Sequence, residues 1–331
     1  MMRKFLNDPA DLVTESLAGF AAAYRDQVRY DAVERIVVRA DAPVIGKVGL
    51  VSAGGSGCEP LHSGFVGRGM LDAACPGEVF TSPVPDQMMA ATRAADGGVG
   101  VVQIVKNYPG EVMNFKLVAM DSADEGIAVE SVLVNDDVAV PDPARRRALG
   151  ATVLVEKIAG AAAERGDDLQ AVARVGRRVN ERARSFGVGL SSCTPPAMGK
   201  FIFDLPVGEI EVGIGISGEP GARREAMRSA RELASMMLDS VLSDLRPADG
   251  AEVLLLVNGL GGTPQIELYL LYGEIERGLR EAGFAPTRSL VGNYVTSLEQ
   301  AGASITVLEL DDELTALWDA PVHTAALRWG V

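Results

Sequence analysis

The chain has 331 residues, of which 47% are hydrophobic and 23% are charged, a composition typical of a globular protein with a large core. The formal charge of −14 argues against nucleic acid and anionic membrane surfaces as partners, because both are bound mainly through Lys and Arg. The three cysteines are widely separated and form neither a disulfide framework nor a CxxC pair, and no apolar run reaches the ~18 residues of a membrane span. We therefore expect a cytoplasmic protein.

Apolar runs rich in Val, Ile and Leu alternate with segments of helical periodicity along most of the chain. Helical stripes are clearest at residues 238–245 and at 172–179, where Asp167 and Asp168 are candidate N-terminal caps. The alternation predicts an α/β fold with two α/β domains, each a mixed sheet flanked by helices. The predicted strands are residues 35–38, 47–52, 99–105, 127–133, 209–216, 252–257 and 304–308.

The clearest change of composition lies near residues 185–196, where a long helical region gives way to Gly- and Pro-containing sequence. No long linker or low-complexity tract divides the chain elsewhere. We therefore predict an N-terminal α/β domain at residues 1–187 and a C-terminal α/β domain at residues 188–331, each with one glycine-rich loop.

The two glycine-rich loops, at residues 51–60 and 212–220, each follow an apolar run and end in a Glu-Pro pair. Glycine lets backbone N–H groups approach a small polar ligand, and ligands of α/β proteins lie beyond strand ends. The loops therefore offer candidate substrate-binding residues, namely Gly55, Ser56 and Gly218. The second loop formally matches G-x-G-x-x-G, but its first glycine lies inside an apolar run and a proline follows its last one, so we expect no dinucleotide site.

Residues 101–115 contain a second type of candidate site, in which polar residues follow the end of an apolar run. Lys106 closes a buried run, and Glu111 opens a helix after a Pro-Gly turn. One interpretation is structural, because a carboxylate stabilises a helix N-terminus. In the other, Lys106 and Glu111 are the cation and the base of a site beside the first loop. Ser82, in the turn at residues 80–83, is likewise either part of a plain turn or a polar contact of that site.

Metal and nucleotide sites are not expected on this chain. The two histidines, His62 and His323, have no ligand-like spacing with each other or with Cys, so we interpret both as structural. No phosphate-binding G-x-x-x-x-G-K-[ST] motif is present. If the protein takes part in phosphoryl transfer, the nucleotide is therefore expected on another chain.

Many segments in order resemble the substrate-binding subunit of the dihydroxyacetone kinases. They include the loop Gly-Gly-Ser-Gly-Cys-Glu-Pro and the segments Phe-Thr-Ser-Pro, Val-Lys-Asn-Tyr and Trp-Asp-Ala-Pro-Val-His. The resemblance covers essentially the whole chain, and each motif alone would be weak. The matching segments are residues 54–60, 64–70, 80–83, 105–108, 113–115, 153–157, 160–166, 215–221, 257–264, 317–323 and 329–330.

The resemblance implies a homodimer of two-domain α/β chains that bind a small ketose or a related polyol. In the bacterial form of the family, a separate helical subunit carries the nucleotide, ATP or ADP, with Mg²⁺. A protein of the phosphotransferase system recharges that subunit. The resemblance therefore implies a nucleotide-binding partner and no cofactor on this chain.

Three residues depart from the family at its chemical positions. The family holds the ketone covalently on a histidine of the second loop, where this chain has Ser217. A first-loop histidine that contacts the substrate hydroxyl is here Cys58, and an aspartate that is a candidate base is here Glu111. The family's polar contacts at Gly55, Ser82 and Lys106 are retained. A serine forms no stable aminol with a ketone, so we expect the substrate to be held by hydrogen bonds alone.

Two functions follow from this pattern. The first is a kinase subunit that binds a small ketose or polyol without covalent attachment and delivers a hydroxyl near Glu111 to a partner's nucleotide. In this hypothesis Glu111, Cys58 and Ser217 occupy the catalytic positions. The second is a non-catalytic paralogue that senses a metabolite and acts with a transcription regulator.

Overall fold

A computed structural model describes residues 4–331. Helices and strands alternate along the chain, as the hydrophobic pattern predicts, and the predicted α/β class with mixed sheets is confirmed. The helices are α1 (Leu12–Ala23), α2 (Pro85–Ala95), α3 (Pro109–Asp124), α4 (Ala151–Arg165), α5 (Leu169–Glu181), α6 (Ala230–Leu245), α7 (Gln265–Glu281) and α8 (Asp312–Asp319).

The strands include all seven runs named from the sequence, and Ser63–Phe65 and Pro143–Arg145 form short 3-10 turns. The strands are β1 (Val28–Asp31), β2 (Ile36–Arg39), β3 (Gly49–Ser56), β4 (Gly67–Arg68), β5 (Ala73–Val79), β6 (Val101–Lys106), β7 (Val129–Val134), β8 (Ala183–Gly189), β9 (Glu209–Val212), β10 (Arg223–Ala226), β11 (Glu252–Gly259), β12 (Ala285–Gly292), β13 (Gly302–Glu309), β14 (Val322–Thr324) and β15 (Arg328–Trp329).

Two compact units divide the chain, and their segments interleave. The first unit comprises the described residues up to Val134, Thr152–Val179 and Glu313–Val331, and the second comprises Asn135–Ala151 and Asn180–Asp312. The sequence instead suggested a single boundary between residues 187 and 188. The physical reason for the difference is strand pairing, because β8 pairs with β13 inside the second unit while β14 pairs with β4 inside the first.

The first unit is built on a six-stranded sheet in the order β1-β2-β5-β3-β6-β7. Strands β5, β3, β6 and β7 are parallel neighbours, whereas β2 runs antiparallel to β5. Side chains from α2 and α3, such as Met88 and Phe115, pack with Val51 and Val105 of the sheet in one buried core. Four parallel strands side by side place their carboxyl ends along one edge of the sheet.

The second unit is built on a six-stranded sheet in the order β10-β9-β8-β13-β11-β12, in which only β11 and β12 are parallel. Its core joins α6 and α7 to the sheet through residues such as Leu238, Val241 and Ile275. The predicted strand at residues 209–216 is shorter than expected and ends at Val212. Gly213 follows with φ +76°, a left-handed conformation that interrupts an extended strand and begins the second loop.

Of the two candidate N-terminal caps of α5, one is confirmed. Asp168 accepts a hydrogen bond from the backbone N–H of Ala171 at 2.7 Å and so caps α5, as predicted. The other candidate, Asp167, accepts from the Arg165 guanidinium instead. None of the helices within residues 4–331 combines the length and the apolar character needed to cross a membrane.

Lys157 of α4 is a buried basic residue that hydrogen-bonds to the C-terminal segment of the same unit. Its Nζ donates to the carbonyl of Leu317 in the last turn of α8 at 2.8 Å and lies 5.5 Å from the centroid of the Trp329 ring. Burial lowers the pKa of Lys157 to about 8, and nearby Asp319 only partly opposes this. The neutral amine is therefore favoured in the folded protein at mildly alkaline pH.

We expect Lys157 to make the folded state more stable as pH rises from about 8 to 10.5. In this window the unfolded chain still binds the proton that the folded protein has released, so raising the pH favours the folded state. Lys157→Met removes this titration. The melting temperature of the wild type minus that of Lys157→Met should increase with pH in thermal melts, and a constant difference would contradict the lowered pKa.

Candidate active site

The carboxyl ends of three neighbouring parallel strands bring most of the predicted site residues together in the first unit. Gly55 lies near the end of β3, Lys106 ends β6, and Ser82 lies in the turn that follows β5. Glu111 lies in the first turn of α3, directly after β6. The arrangement is the strand-end edge where α/β proteins bind ligands.

Lys106 and Glu111 form a buried ion pair. Lys106 Nζ lies 3.4 Å from Glu111 Oε1, and the two side chains are only 2% and 8% exposed. The Tyr108 ring centroid is 5.4 Å from the same Nζ. A charged pair this deeply buried is costly unless it is well paired. This pair lies at the carboxyl ends of parallel strands, where α/β proteins bind ligands.

Gly54 and Gly55 allow the first loop to pass very close to the rest of the site. A Cβ on Gly54 would lie 2.8 Å from Cε of Lys106, whose Nζ is closer still. A Cβ on Gly55 would lie 2.5 Å from the backbone nitrogen of Thr81, in the turn that carries Ser82. Ser82 Oγ lies 3.5 Å from the Cβ position of Gly110, is buried, and has no hydrogen-bond partner within residues 4–331. The protein therefore leaves the hydrogen-bonding capacity of this hydroxyl unused.

Alanine at the two glycines should have different effects. Gly54→Ala collides with the end of a flexible side chain, so we expect a folded protein in which Lys106 is displaced and ketose binding is weakened. Gly55→Ala collides with backbone, which is relieved only by moving the turn, so we expect it to cost about 1–3 kcal/mol of stability. Chemical denaturation and calorimetric titration with dihydroxyacetone measure the two effects. Equal losses of stability in both variants would contradict this assignment.

Ser56 and Cys58 of the first loop are buried and support its conformation. Ser56 Oγ donates to the carbonyl of Gly77 at 2.7 Å, so this hydroxyl is engaged within the protein. Cys58 is 2% exposed, consistent with the behaviour of a small buried hydrophobe. The structure therefore brings Gly55, Ser82, Lys106 and Glu111 together and gives Ser56 a structural hydrogen bond.

Ser217 and Gly218 lie in the second unit, in the loop between β9 and β10. Gly218 has φ +75°, and the backbone N–H of Ser217 donates to Glu219 Oε2 at 2.8 Å. The Arg147 guanidinium donates to the carbonyl of Gly213 at 2.8 Å and lies 3.6 Å from Glu219 Oε1. The loop is thus held by backbone hydrogen bonds and by Arg147, without help from the Ser217 hydroxyl in any of these contacts.

The first loop contains a hydrogen bond equivalent to the one between the Ser217 N–H and Glu219 of the second loop. The backbone N–H of Gly57 donates to the Glu59 carboxylate at 3.1 Å and 3.0 Å. In both loops, the Glu of the Glu-Pro pair therefore binds the backbone N–H two residues before it. In each unit, the glutamate of the Glu-Pro pair therefore stabilises the conformation of its own loop.

The sequence did not reveal a second buried ionisable pair, His62 and Glu156. His62 Nδ1 lies 2.5 Å from Glu156 Oε1, and their side chains are 4% and 0% exposed. Burial, and then the charge of Lys106, hold the pKa of His62 well below its usual range. Burial raises the pKa of Glu156 well above its usual range, although Lys106 opposes this. The two residues are 94 positions apart, and no local motif signals their contact.

His323 lies in β14, where its backbone pairs with Arg68 of β4. No group of three or more His, Cys, Asp or Glu side chains is arranged to hold a metal ion in the part of the chain from residue 4 onward. The strand-end edge of the first unit thus presents hydrogen-bonding groups, a buried ammonium and a buried carboxylate.

Comparisons with known proteins identify the family to which the chain belongs. Residues 18–326 match the Dak1 domain model. The chain is 46% identical over 357 residues to the PEP-dependent dihydroxyacetone kinase, dihydroxyacetone-binding subunit DhaK, of Escherichia coli (strain K12), with 99% of this chain and 100% of that protein covered.

Two solved structures are also similar. The native dihydroxyacetone kinase of C. freundii has a TM-score of 0.90 at 34% identity, covering 99% of this chain and 60% of that one. The dihydroxyacetone kinase operon co-activator Dha-DhaQ has a TM-score of 0.88 at 31% identity, covering 94% of this chain and 96% of that one. The chain belongs to the Dak1 domain family, a kinase-related family, and this confirms the family identified from the motifs.

Proposed function

We propose that the chain is the substrate-binding subunit of a dihydroxyacetone-kinase-type system and that it binds a small ketose or polyol without a covalent bond. The observation that carries this proposal is the buried Lys106–Glu111 pair beside Gly54, together with the unpartnered hydroxyl of Ser82. An ammonium group and a hydroxyl suit the oxygens of a small hydroxylated carbonyl compound. The absence of histidine from both glycine-rich loops supports reversible binding.

Glu111 is proposed as the general base. As the substrate hydroxyl attacks the terminal phosphorus of the donor, a new O–P bond forms and the bond between that phosphorus and its leaving oxygen breaks. The hydroxyl proton passes to the Glu111 carboxylate. Lys106, 3.4 Å from Glu111, orients the substrate and stabilises negative charge that develops on it.

The phosphate donor is proposed to lie on a separate helical subunit that carries ATP or ADP with Mg²⁺ in the cytoplasm. Two observations support this proposal. The sequence contains no phosphate-binding loop followed by Lys, and the similar E. coli protein is named as one subunit of a PEP-dependent kinase. Calorimetry with Mg-ATP should show no micromolar binding to the isolated chain.

A homodimer is also proposed. The second unit has an apolar groove of about 360 Å³ between α6 and α7, and Ile266, Tyr269 and Leu270 are exposed on α7 beside it. Contiguous exposed apolar surface of this kind is typical of a protein contact. Light scattering should give the mass of a dimer for the wild type and of a monomer for Ile266→Glu. A monomeric wild type would overturn this part of the proposal.

A thermal-shift screen over C3–C5 ketoses, aldoses and polyols tests the proposed binding function. A ligand that binds the folded state raises the apparent melting temperature. We expect a shift with dihydroxyacetone or a close relative, and a much smaller one in Lys106→Met. If no compound of this class shifts the wild type, the proposed substrate class is wrong.

The second candidate function is a metabolite sensor that acts with a regulator. Its support is the similarity to a structure described as an operon co-activator, together with Cys58 and Ser217 at the two positions where the family has histidine. A phosphorylation assay with the cognate nucleotide subunit separates the two functions. Ligand binding without phosphorylation would favour the sensor.

A further inference from the structure

The buried pair of His62 and Glu156 has no role in the reaction proposed above, yet it is electrostatically coupled to Lys106, the cation of that reaction. His62 immediately precedes the 3-10 turn Ser63–Phe65, and Glu156 comes from α4. The 2.5 Å contact between Nδ1 and Oε1 fixes one edge of the imidazole. The ring is therefore anchored to a helix that contributes none of the substrate-binding residues.

The other edge of the ring faces the site. His62 Nε2 lies 3.2 Å from the position of a Cβ on Gly54, and Lys106 Cε lies 2.8 Å from the same position. Nε2 is buried and makes no hydrogen bond of ordinary geometry to the protein within residues 4–331. The imidazole and the end of the Lys106 side chain thus fill one space over Gly54.

The charges of this cluster favour a neutral ring. The charge of Lys106 lowers the pKa of both His62 and Glu156, so the ammonium is electrostatically coupled to each. The titratable groups that face His62 are Glu156 from α4 and Lys106 from β6, with Glu111 of α3 beyond Lys106. Burial is the largest cause of the lowered pKa of His62, and a backbone hydrogen bond with Ala53 partly opposes it. A protonated imidazole would place a second cation beside the ammonium, whereas a neutral one adds no repulsion.

We propose that His62 is a positioning residue for Lys106. Its ring, anchored by Glu156, fills the space behind the ammonium and directs it toward Glu111 and the first glycine-rich loop. Without the ring, the flexible side chain of Lys106 has room to withdraw from Glu111. The consequence for ligand binding rests on the proposed function, but the contact with Lys106 does not.

The contact is tested without any ligand. Imidazole NMR signals of the full chain are titrated, and His323→Gln assigns the signal of His62 because the chain has only two histidines. We expect His62 to remain neutral to well below its usual pKa, and Lys106→Met to raise that pKa because a nearby positive charge is lost. A titration of His62 that is the same in the wild type and in Lys106→Met would overturn the proposal.

The effect on the site is tested with dihydroxyacetone as the probe. We expect His62→Ala and Glu156→Leu to weaken its binding about tenfold or more, which corresponds to about 1.4 kcal/mol. Glu156→Gln keeps the shape and hydrogen bonding of a protonated carboxyl and should restore most of the affinity lost in Glu156→Leu. Circular dichroism and thermal melts establish which variants are folded. A folded His62→Ala protein with wild-type affinity would overturn the positioning role.

The NMR titration and the binding measurement distinguish an error in the positioning role from an error in the proposed function. If the wild type does not bind the probe but Lys106→Met still raises the pKa of His62, the proposed substrate is wrong and the contact between His62 and Lys106 stands. If the probe binds but the pKa of His62 is insensitive to Lys106→Met, the positioning role is wrong and the proposed function stands.

Discussion

Glu111→Gln should lower the rate of partner-dependent ketose phosphorylation by about 10²–10⁴-fold, the usual contribution of a general base. The amide keeps the size of the carboxylate and its place in the first turn of α3, but it does not accept the substrate proton. An interaction made only in the transition state lowers kcat and kcat/KM together. Steady-state kinetics with the cognate nucleotide subunit measure this effect, and thermal shift should show that the ligand still binds.

Lys106→Met is the matched comparison for Glu111→Gln. It removes the other member of the 3.4 Å pair and a cation proposed to contact the ligand in the ground state. We therefore expect a raised KM and weakened binding in the absence of the partner. If Glu111→Gln phosphorylates the ketose at the wild-type rate, Glu111 acts only at the start of the helix, and its carboxylate is not the base.

Ser217→His should convert reversible binding into covalent attachment. In the wild type, dihydroxyacetone is expected to leave no stable adduct, because neither histidine of the chain lies in a glycine-rich loop. A histidine at residue 217 supplies a ring nitrogen that bonds to the carbonyl carbon as the C=O π bond breaks, and the proton of the ring N–H passes, directly or through solvent, to the carbonyl oxygen. Intact mass under non-denaturing conditions should then increase by one molecule of dihydroxyacetone, and peptide mapping should place it at residue 217.

Ser217→Ala is the control for this experiment, since it changes the same residue without adding a nucleophile. Addition of Cys58→His to Ser217→His restores the second imidazole that the family has and should increase the yield of adduct. A stable adduct on the wild-type Ser217 peptide would refute reversible binding. A folded double variant that binds ketose only reversibly would show that residues beyond these two set the mode of attachment.

The sequence predicts the parts of the site that depend on local order. Lys106 and Glu111 are five residues apart, so an apolar run followed by a Pro-Gly turn is enough to place a cation and a carboxylate at one strand end. The Val, Ile and Leu runs likewise correspond to buried strands such as β3 and β11. Short-range periodicity and turn chemistry are physical constraints that a single sequence displays.

The remaining features depend on contacts between distant residues. His62 meets Glu156 only because the fold brings α4 to it across 94 positions of sequence, so a single sequence offers no reason to place this histidine near Lys106. The interleaved units have the same origin, because β14 returns to pair with β4 more than 250 residues earlier in the chain. The early end of β9 is an exception that depends on a single φ angle, that of Gly213.

In the two Glu-Pro loops, the residues that hold the backbone conformation differ from the residues at the proposed chemical positions. Glu59 and Glu219 bind backbone N–H groups, so the course of each loop is encoded by these carboxylates and by the glycines around them. The side chains at residues 58 and 217 are not used for those bonds. Exchange of either side chain therefore leaves the Glu59 and Glu219 hydrogen bonds in place. Under the proposed function, covalent capture of a ketone and its reversible binding are therefore alternatives that side chains at residues 58 and 217 can set without a change in the hydrogen bonds that shape the two loops.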